Sequence, residues 1–530
     1  MTDKISQNDI NSAAWAACDT FRGVVDAAQY KDYILTMLFL KYVSDVWQDH
    51  FAEYKKRFGD DDERIRRRME REKFFLPEGT SFYDLHRQRS ADNIGEIINI
   101  ALEKFEDANK QKLEGVFRNI DFNSEYNLGE TKDRNRRLKN LLEDFNKPEL
   151  NMSPSRVNED VIGETYIYLI SQFASDAGKK AGEFFTPRKI SELLVRLVDP
   201  KPGNRIYDPA CGSASLLVRA SEQVAANATT EQDKRNFQLF GQEVNSGTRG
   251  LARMNMFLHG LDSAEIEWGD TLNSPKHLEG DALKRFDIVV ANPPFSLKKW
   301  SGEEKKKGKD QRDDDTDGKI DPRIDPFNRY FRGIPPASRA DFAFISHMVE
   351  SARPKSGRVG VIAPHGVLFR GGAEGRIRQS MIEENLVDAV IGLPAQLFSS
   401  TGIPVCIVIF DRAREKGGAR EDADDVMFVD ASREFEQGKK QNQLLDKHLN
   451  DIVDAYRARQ PVERYARPVL RAEIAEHGFN LNIPRYVDTF EAEEEINIAA
   501  VQREIVDLEQ QLAESRTRMD GYLRELGLNV

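Results

Sequence analysis

The sequence predicts an α/β protein with a doubly wound sheet, preceded by a helical domain and followed by a helical tail. First, short β-branched runs alternate with amphipathic helical stretches from about residue 151 onward. Second, several of these runs are continuously apolar, as expected of strands that helices cover on both faces. Third, residues 1–150 carry apolar side chains at helical spacing among many charges, with few Gly or Pro.

The composition is that of a globular protein rather than a disordered or membrane protein. Of the 530 residues, 39% are hydrophobic and 31% are charged, and no apolar run has the length of a spanning helix. The chain shows no signal peptide and its three cysteines lie far apart, which favours a cytoplasmic protein without disulfides or metal. The net charge of −12, from 77 basic and 89 acidic residues, argues against tight DNA binding by this chain alone.

Strands and one helix can be placed from residue pattern. The predicted strands are 205–208, 238–244, 266–269, 286–291, 358–363, 386–393, 405–411 and 426–429. Thr186 followed by Pro187 is typical of an N-cap and a first helical position. Apolar residues from Ile190 to Val198 then follow the 3.6-residue period, and Pro200 ends the predicted helix.

Two further segments have distinct patterns. Residues 298–336 form a polar insert that is expected to be a mobile loop, because its apolar content is too small for independent folding. Near the end of the chain, apolar residues alternate spacings of three and four, which predicts a coiled-coil seam. The seam would meet a partner helix, or it would pack on the N-terminal domain of its own chain. Its positions are Ile498, Val501, Ile505, Leu508, Leu512, Ser515, Met519 and Tyr522.

The first chemical signal is the segment 207–217 (YDPACGSASLL), in which a strand ends in Asp208 and small residues lead into a helix. Doubly wound sheets bind ligands in the crevice at this position. The segment is neither a dinucleotide fingerprint nor a phosphate loop, and its small residues allow the backbone to approach a ligand closely. Cys211 is expected to be a small packed side chain rather than a reactive thiol. Such a turn by itself is weak evidence.

Two acidic residues follow the next two predicted strands. Glu243 ends the second strand, where an acid can accept hydrogen bonds from both hydroxyls of a ribose. Asp270 follows the third strand and can accept a hydrogen bond from an adenine amino group. Either acid alone is more often a surface carboxylate, but their order at successive strand ends favours a nucleoside site.

The fourth strand leads into Asn292-Pro-Pro-Phe295. Two prolines remove two N–H donors and hold the backbone extended, which leaves carbonyl acceptors. The Asn292 side-chain carbonyl and the Pro293 backbone carbonyl can then accept from one exocyclic NH₂ group. Phe295 can stack on a base that has been taken out of a helix. A lone motif of this kind is usually a turn, so its context decides.

The full set of motifs resembles the amino-methyltransferases that use S-adenosylmethionine, in particular the modification (M) subunits of type I restriction-modification systems. The set consists of FFTP at 184–187, DPACG at 208–212, Glu243, Asp270 and NPPF at 292–295. Segments at 429–432, 440–442 and 479–486 are also similar, so that the resemblance covers nearly the whole chain. It implies a seven-stranded doubly wound sheet and three domains: a helical N-terminal domain (1–150), the methyltransferase domain (151–488) and a helical tail for subunit assembly (489–530).

The resemblance also implies residue roles. Asn292, Pro293, Pro294 and Phe295 would grip the target adenine. The cofactor-binding residues would be Glu183, Phe184, Phe185, Thr186, Pro187, Arg188, Asp208, Gly212, Ser213, Ala214, Ser215, Glu243 and Asp270. No metal is implied.

The implied activity is site-specific adenine-N6 methylation of double-stranded DNA. A specificity subunit with two M copies would read the DNA, and a separate restriction subunit would complete the assembly. Related motifs occur in enzymes that methylate protein glutamine or RNA guanine, but those are generally shorter. Methylation of cytosine N4 usually goes with Ser or Asp at position 292. An inactive assembly protein is disfavoured because the motif set is intact.

Overall fold

The computed structural model describes residues 5–22, 25–177, 185–301, 321–399, 401–439, 441–489 and 498–527. The chain divides into two compact units, residues 1–487 and 488–530. In the described part of the chain, no helix is both long and apolar enough to cross a membrane. The division into three domains at 150/151 and 488/489 stays a prediction.

The first part of the larger unit is helical, as predicted. Its α-helices are α1 (Gln7–Ala16), α2 (Ala27–Phe58), α3 (Asp62–Met69), α4 (Phe82–Arg87), α5 (Ile94–Ala108), α6 (Lys110–Leu113), α7 (Glu125–Leu128) and α8 (Thr131–Phe145). Short 3-10 helices lie at Ala17–Thr20 and Pro148–Leu150. Local sequence explains where an α-helix such as α4 begins, since Ser81 and Asp84 form a capping box there. Helix α5 buries one apolar stripe that includes Ile94, Ile98 and Phe105.

The rest of the larger unit is a sheet covered by helices. The strands are β1 (Arg205–Asp208), β2 (Gln238–Glu243), β3 (Glu265–Trp268), β4 (Leu278–Glu279), β5 (Ala282–Leu283), β6 (Ile288–Ala291), β7 (Arg358–Pro364), β8 (Val387–Gly392), β9 (Val405–Asp411), β10 (Asp425–Asp430) and β11 (Ala466–Leu470). The sheet has the order β11-β10-β8-β9-β7-β6-β1-β2-β3, and β4 with β5 forms a separate small hairpin. The seven strands from β8 to β3 form the predicted seven-stranded sheet, which β10 and β11 extend at one edge.

The helices of this region lie on the two faces of the sheet or connect its strands. The α-helices are α9 (Glu159–Ala177), α10 (Arg188–Val198), α11 (Ser215–Asn227), α12 (Ser246–Leu258), α13 (Asp341–Ser351), α14 (Gly366–Phe369), α15 (Gly372–Glu383), α16 (Asp446–Ala458) and α17 (Arg471–Glu476). Short 3-10 helices lie at Asp233–Arg235, Pro322–Ile324, Arg412–Arg414 and Ile483–Arg485. Separate apolar clusters fill the space on the two sides of the sheet.

The predicted strands all exist, with ends that shift by at most two residues. Strand β9 is antiparallel to both of its neighbours, β7 and β8, a direction that the sequence pattern did not predict. Its continuous apolar run reports burial on both faces, which antiparallel strands inside a covered sheet share with parallel ones. The strand β11 was missed because it is an edge strand with Arg467 and Pro468 in its middle.

Two local predictions are corrected by the structure. Helix α10 begins at Arg188 with Pro187 as its N-cap residue, so Thr186 does not cap it. The Thr186 hydroxyl instead accepts a hydrogen bond from Asn292, which follows β6. The described ends of the polar insert are packed rather than mobile, because Trp300 and Arg329 are buried and the Trp300 ring contacts Tyr330. Residues 302–320 of the insert lie outside the described residues.

One hydrophobic core joins the helical part to the region that contains the sheet. Buried residues of α1, α2, α5 and α8 share this core with Tyr166 of α9 and with Leu251, Met254 and Phe257 of α12. The Arg249 guanidinium also donates to the Glu114 carbonyl at 2.9 Å. The helix that follows β2 is therefore held by the N-terminal helices as well as by the sheet.

The smaller unit contains one long helix, α18 (Ile498–Glu525), as the seam pattern predicts. The described seam side chains are largely exposed, with exposed fractions between 42% at Val501 and 65% at Tyr522. An apolar row of this kind on a helix is typical of a surface that another helix covers.

Candidate active site

The candidate site lies where the strand order reverses, next to the carboxyl end of β1. Strand β1 pairs with β2 on one side and with β6 on the other, both in parallel. A cavity of about 500 Å³ opens there, between the carboxyl ends of β1, β2, β3 and β6. Open α/β sheets bind ligands in this crevice, and the volume lies in the range of small-molecule sites.

The loop after β1 forms one wall of the cavity. Gly212 and Ala214 adopt φ values of 54° and 62°, which turn the chain sharply into α11. Glycine takes this conformation without strain, whereas alanine does so only where the surroundings hold it. The Ser213 and Ser215 hydroxyls lie 2.9 Å apart, and the Cys211 N–H donates to the Gln242 carbonyl at 3.1 Å. The loop is thus fixed by β2 while small side chains line the cavity.

Asp208 is fully buried at the start of this loop. Its Oδ1 atom accepts from the Ala210 N–H at 3.0 Å, and its Oδ2 atom has no hydrogen-bond partner among the described residues. Burial, together with the nearby Glu243 carboxylate, raises the pKa of Asp208 from 3.8 to about 8. A buried carboxyl atom without a partner beside a cavity is a candidate contact for a polar ligand group.

Glu243 ends β2 and its carboxylate lies between two loops. One oxygen accepts from the Gly212 N–H at 3.0 Å, and the other accepts from the Asn245 N–H at 2.8 Å. The carboxylate therefore joins the loop after β1 to the loop after β2. The Glu243 side chain also lines the cavity, at the position where an acid at the end of the second strand can hold a ribose.

Asp270 lies in the turn after β3 and also lines the cavity. Its carboxylate accepts from the Leu272 N–H at 2.9 Å and from the Asn273 amide at 2.7 Å. Gln242 holds the same turn from below, because its amide donates to the Gly269 and Ser274 carbonyls at 3.1 and 3.0 Å. The turn is thus rigid, and Asp270 supports its shape as well as facing the cavity.

Asn292 follows β6 and its amide is oriented by Thr186. The Asn292 Nδ2 atom donates to the Thr186 hydroxyl at 3.0 Å. Its Oδ1 atom is buried without a hydrogen-bond partner among the described residues. Both residues line the cavity. The site therefore presents a carbonyl acceptor that is desolvated and held by its own amide, which suits a donor such as an exocyclic NH₂ group.

Comparisons with known proteins agree with this geometry. The model of the N-6 DNA methylase family matches residues 157–495, and that of the HsdM N-terminal domain matches residues 10–145. The type I restriction enzyme MpnII methylase subunit of Mycoplasma pneumoniae is 30% identical, over 98% of this chain and 96% of the relative. The MjaVIII methylase subunit of Methanocaldococcus jannaschii is also 30% identical, over 99% of this chain and 86% of the relative.

A solved structure extends the comparison to the fold. The methyltransferase subunit of a type I restriction-modification system from Streptococcus thermophilus is 32% identical and superposes with a TM-score of 0.77. The match covers 92% of this chain and all of the other. The chain belongs to the type I restriction enzyme methylase subunits, within the N-6 DNA methylase family. This membership disfavours the alternatives of protein-glutamine and RNA-guanine methylation.

Within this methylase subunit, most of the predicted site residues line one cavity. They are Phe185, Thr186, Asp208, Gly212, Ser213, Ser215, Glu243, Asp270, Asn292 and Pro294. Pro187, Ala214 and Pro293 are not among the residues that line it. Arg188 turns away, because its guanidinium pairs with Glu164 at the edge of another cavity. Glu183 and Phe184 lie outside the described residues.

The second half of the Asn292 motif is held by neighbouring loops. The Phe295 ring packs edge-on against Phe398, with 6.1 Å between the ring centroids, and does not line the cavity. After it, the Ser296 N–H donates to the Asp341 carboxylate at 2.7 Å, and Arg370 pairs with that carboxylate at 3.0 Å. The backbone that follows the motif is therefore held in place by Asp341.

Several lining residues were not predicted from the sequence. Lys31 and Asp32 come from α2, and Asn245 and Thr248 from the start of α12. No motif marks the first pair, which lies more than a hundred residues before β1 and reaches the cavity only through packing. The second pair follows Glu243 closely, so its proximity to that acid was the available signal.

Cys211 behaves as the packed side chain that was expected. Its side chain contacts the β2 backbone, because a Cβ atom at Gly241 would lie 3.0 Å from the Cys211 sulfur. Burial raises the pKa of its thiol well above the ordinary value, and the neighbouring carboxylates of Asp208 and Glu243 act in the same direction. A thiolate is therefore disfavoured at this position. Among the described residues, no cluster of His, Cys, Asp or Glu is arranged to hold a metal ion.

Proposed function

We propose that this methylase subunit binds S-adenosylmethionine in the cavity beside β1 and methylates the N6 amine of a flipped adenine. The observation that carries the proposal is the side chain of Asn292, a residue that lines the cavity and whose Oδ1 atom is buried without a partner among the described residues. An amine on an aromatic ring is a weak nucleophile, because its lone pair is delocalised. A fixed acceptor for its N–H groups favours the geometry in which that lone pair is available.

The residues present fit the cofactor. The cavity volume of about 500 Å³ suits a nucleoside with an amino-acid tail. The Glu243 carboxylate would hold the ribose, the turn at Asp270 would meet the adenine ring, and residues 208–215 with Phe185 and Thr186 would hold the methionine end. When bound, S-adenosylmethionine supplies an electrophilic methyl group.

On the substrate side, two acceptors would share the target amine. The Asn292 Oδ1 atom and the Pro293 carbonyl would each accept one of its N–H groups and stabilise the positive charge that develops on nitrogen. The Phe295 ring would stack on the base, and in doing so it would either leave or keep its edge-on contact with Phe398. After transfer, the extra proton of the N6 ammonium is acidic and would pass to solvent, which reaches the motif at the exposed Pro294.

Recognition of double-stranded DNA would come from partner subunits. The net charge of −12 is consistent with weak DNA binding by this chain alone. A specificity subunit with two methylase copies would read the site, and a restriction subunit would join the full complex. Residues 1–150 would form the helical N-terminal domain and 151–488 the methyltransferase domain. The tail, 489–530, would serve assembly through the exposed seam of α18.

The catalytic proposal is tested by labelling DNA adenine with a radioactive methyl group from the cofactor, using the chain together with its DNA-reading partner. Asn292→Ala should abolish labelling while the affinity for S-adenosylhomocysteine changes little, because the substitution removes the acceptor for the target amine. Asn450→Ala, which changes an exposed asparagine of α16, is the matched control. Wild-type labelling by the Asn292 variant would exclude the proposed mechanism.

The assembly proposal is tested on α18. Replacement of Leu508 and Leu512 by Lys should prevent the chain from co-eluting with its specificity partner in gel filtration, because the apolar seam is interrupted. Gln510 and Glu514, which lie off the seam on the same helix, provide control substitutions to Lys. An intact complex with both seam leucines replaced would contradict this role.

A further inference from the structure

The start of α2 reaches into the cofactor cavity although it belongs to the N-terminal helices. Lys31 and Asp32 both line the cavity, and their side chains form an ion pair with 2.9 Å between Nζ and Oδ1. Lys31 is only 7% exposed, whereas 25% of the Asp32 side chain is accessible, so the ammonium is buried and the carboxylate is partly open. Charged side chains are rarely buried unless they are paired or bind a ligand.

The position of this pair is fixed by the surrounding helices. The next residue, Tyr33, accepts a hydrogen bond from the Asn127 amide at 3.1 Å and donates one to the Asp121 carbonyl at 3.2 Å. Tyr30 stacks on Phe21 on the other side. These contacts hold the first turns of α2 rigidly against the rest of the helical region.

The pair faces the part of the cavity that lies beside β2. The Asp32 Oδ2 atom lies close to Gly247 in the first turn of α12, since a Cβ atom added to this glycine would be 4.0 Å from it. Asn245 and Thr248, from the same segment, line the cavity together with Glu243. In the proposed cofactor orientation this is the ribose and adenine side, since Glu243 would hold the ribose.

The chemistry of the pair suits hydroxyl or amino donors. Burial raises the pKa of Asp32, and the Lys31 ammonium opposes that change and favours the carboxylate. A carboxylate has about four acceptor positions, so the bond to Lys31 leaves capacity for further donors. Hydrogen bonds to a charged acceptor are stronger than those between neutral groups.

We propose that Asp32, oriented by Lys31, is a cofactor-binding residue that the N-terminal helices supply to the adenosine part of S-adenosylmethionine. This inference rests on the proposed function, because it takes the cavity as the cofactor site. It adds that the methyltransferase region does not complete its cofactor site alone. Cofactor binding thereby depends on the docking of α2 beside α12.

The inference is tested by calorimetric binding to the full-length chain, with two probes that share the 5′-thioadenosine part and differ in the amino-acid tail. The probes are S-adenosylhomocysteine and methylthioadenosine, which lacks the amino-acid tail. Asp32→Asn should weaken both by a similar factor of about ten or more, as expected for a hydrogen bond to a charged group. Lys31→Gln, which keeps the carboxylate but removes its counter-ion, should weaken both in the same ratio.

Control and outcome separate this inference from the proposed function. Asp107→Asn changes an exposed acid of α5 and should bind both probes like the wild-type chain. Unchanged affinities in both cavity variants would overturn the role of Asp32, while the cavity would stay the cofactor site. A loss for S-adenosylhomocysteine alone would overturn the adenosine assignment, because the pair would then face the amino-acid tail. Failure of the wild-type chain to bind either probe would instead contradict the proposed function.

Discussion

The hydrogen bond between Asn292 and Thr186 gives the sharpest test of the site. Thr186→Val keeps the shape of the side chain but removes the hydroxyl that accepts from Asn292 Nδ2 at 3.0 Å. Because Thr186 is only 8% exposed, water cannot readily replace the lost acceptor. The Asn292 amide would then lose the hydrogen bond that fixes its orientation.

The expected size of the effect follows from the burial of this donor. A buried donor left without its acceptor costs about 1–3 kcal/mol. At about 1.36 kcal/mol per factor of ten in rate, this corresponds to a kcat that is roughly 5- to 150-fold lower. The loss should appear in kcat rather than in cofactor affinity, because the amide orientation matters most for the amine in the transition state.

The assay is single-turnover methyl transfer to DNA by the chain with its partner, together with binding of S-adenosylhomocysteine. Thr186→Ser keeps the hydroxyl and should retain a rate within a few-fold of the wild type. A Thr186→Val rate within twofold of the wild type would refute the orienting role. A large loss of cofactor affinity at unchanged kcat would show that Thr186 acts on the cofactor instead.

Three further predictions concern stability. Asp388 is fully buried beside Arg414. Burial alone would raise the pKa of Asp388, but the surrounding arginines lower it to about 2. Asp388→Asn should therefore lower the free energy of unfolding, measured with urea at pH 7, by about 3–5 kcal/mol. The part due to the pKa shift should vanish as the pH falls from 3.8 toward 2. Gly250→Ala should destabilise the chain by about 1–3 kcal/mol, since its Cβ would lie 2.6 Å from the Val116 carbonyl oxygen. Because the pKa of Asp208 is raised to about 8, its contribution to stability should fall as the pH rises from 4 to 8, and Asp208→Asn should remove this slope.

Matched controls separate these effects from general damage. Asp424→Asn removes an exposed acid that pairs with Arg471 and should change stability by less than about 1 kcal/mol. Gly521→Ala places a Cβ in open space on α18 and should not destabilise that helix. Equal losses for Asp388→Asn and Asp424→Asn, or a Gly250→Ala chain as stable as the wild type, would contradict the packing argument. An unchanged pH slope in Asp208→Asn would show that other groups produce it.

The sequence predicted which residues lie together where they end or follow a strand. Asp208, Glu243 and Asn292 each end or follow a strand, and parallel pairing of β1 with β2 and β6 brings them to one edge. The alternation of strands and helices is a local pattern that can be read from the sequence before the fold is known. Thr186 was predicted to cap α10, but Pro187 is the N-cap residue and the Thr186 hydroxyl accepts a hydrogen bond from Asn292. Its predicted role at the cofactor stays a prediction.

The sequence by itself determined the alternation of strands and helices, eight strands of the main sheet, and the motifs that follow the strand ends, because each depends on residue type and short-range spacing. Tertiary structure decided which distant groups touch. The antiparallel direction of β9, the orientation of the Asn292 amide and the presence of Lys31 and Asp32 at the cavity beside β1 all depend on packing between segments far apart in the chain. Such contacts have no local signature, since the free energy that fixes them comes from burial shared by many residues rather than from any one of them.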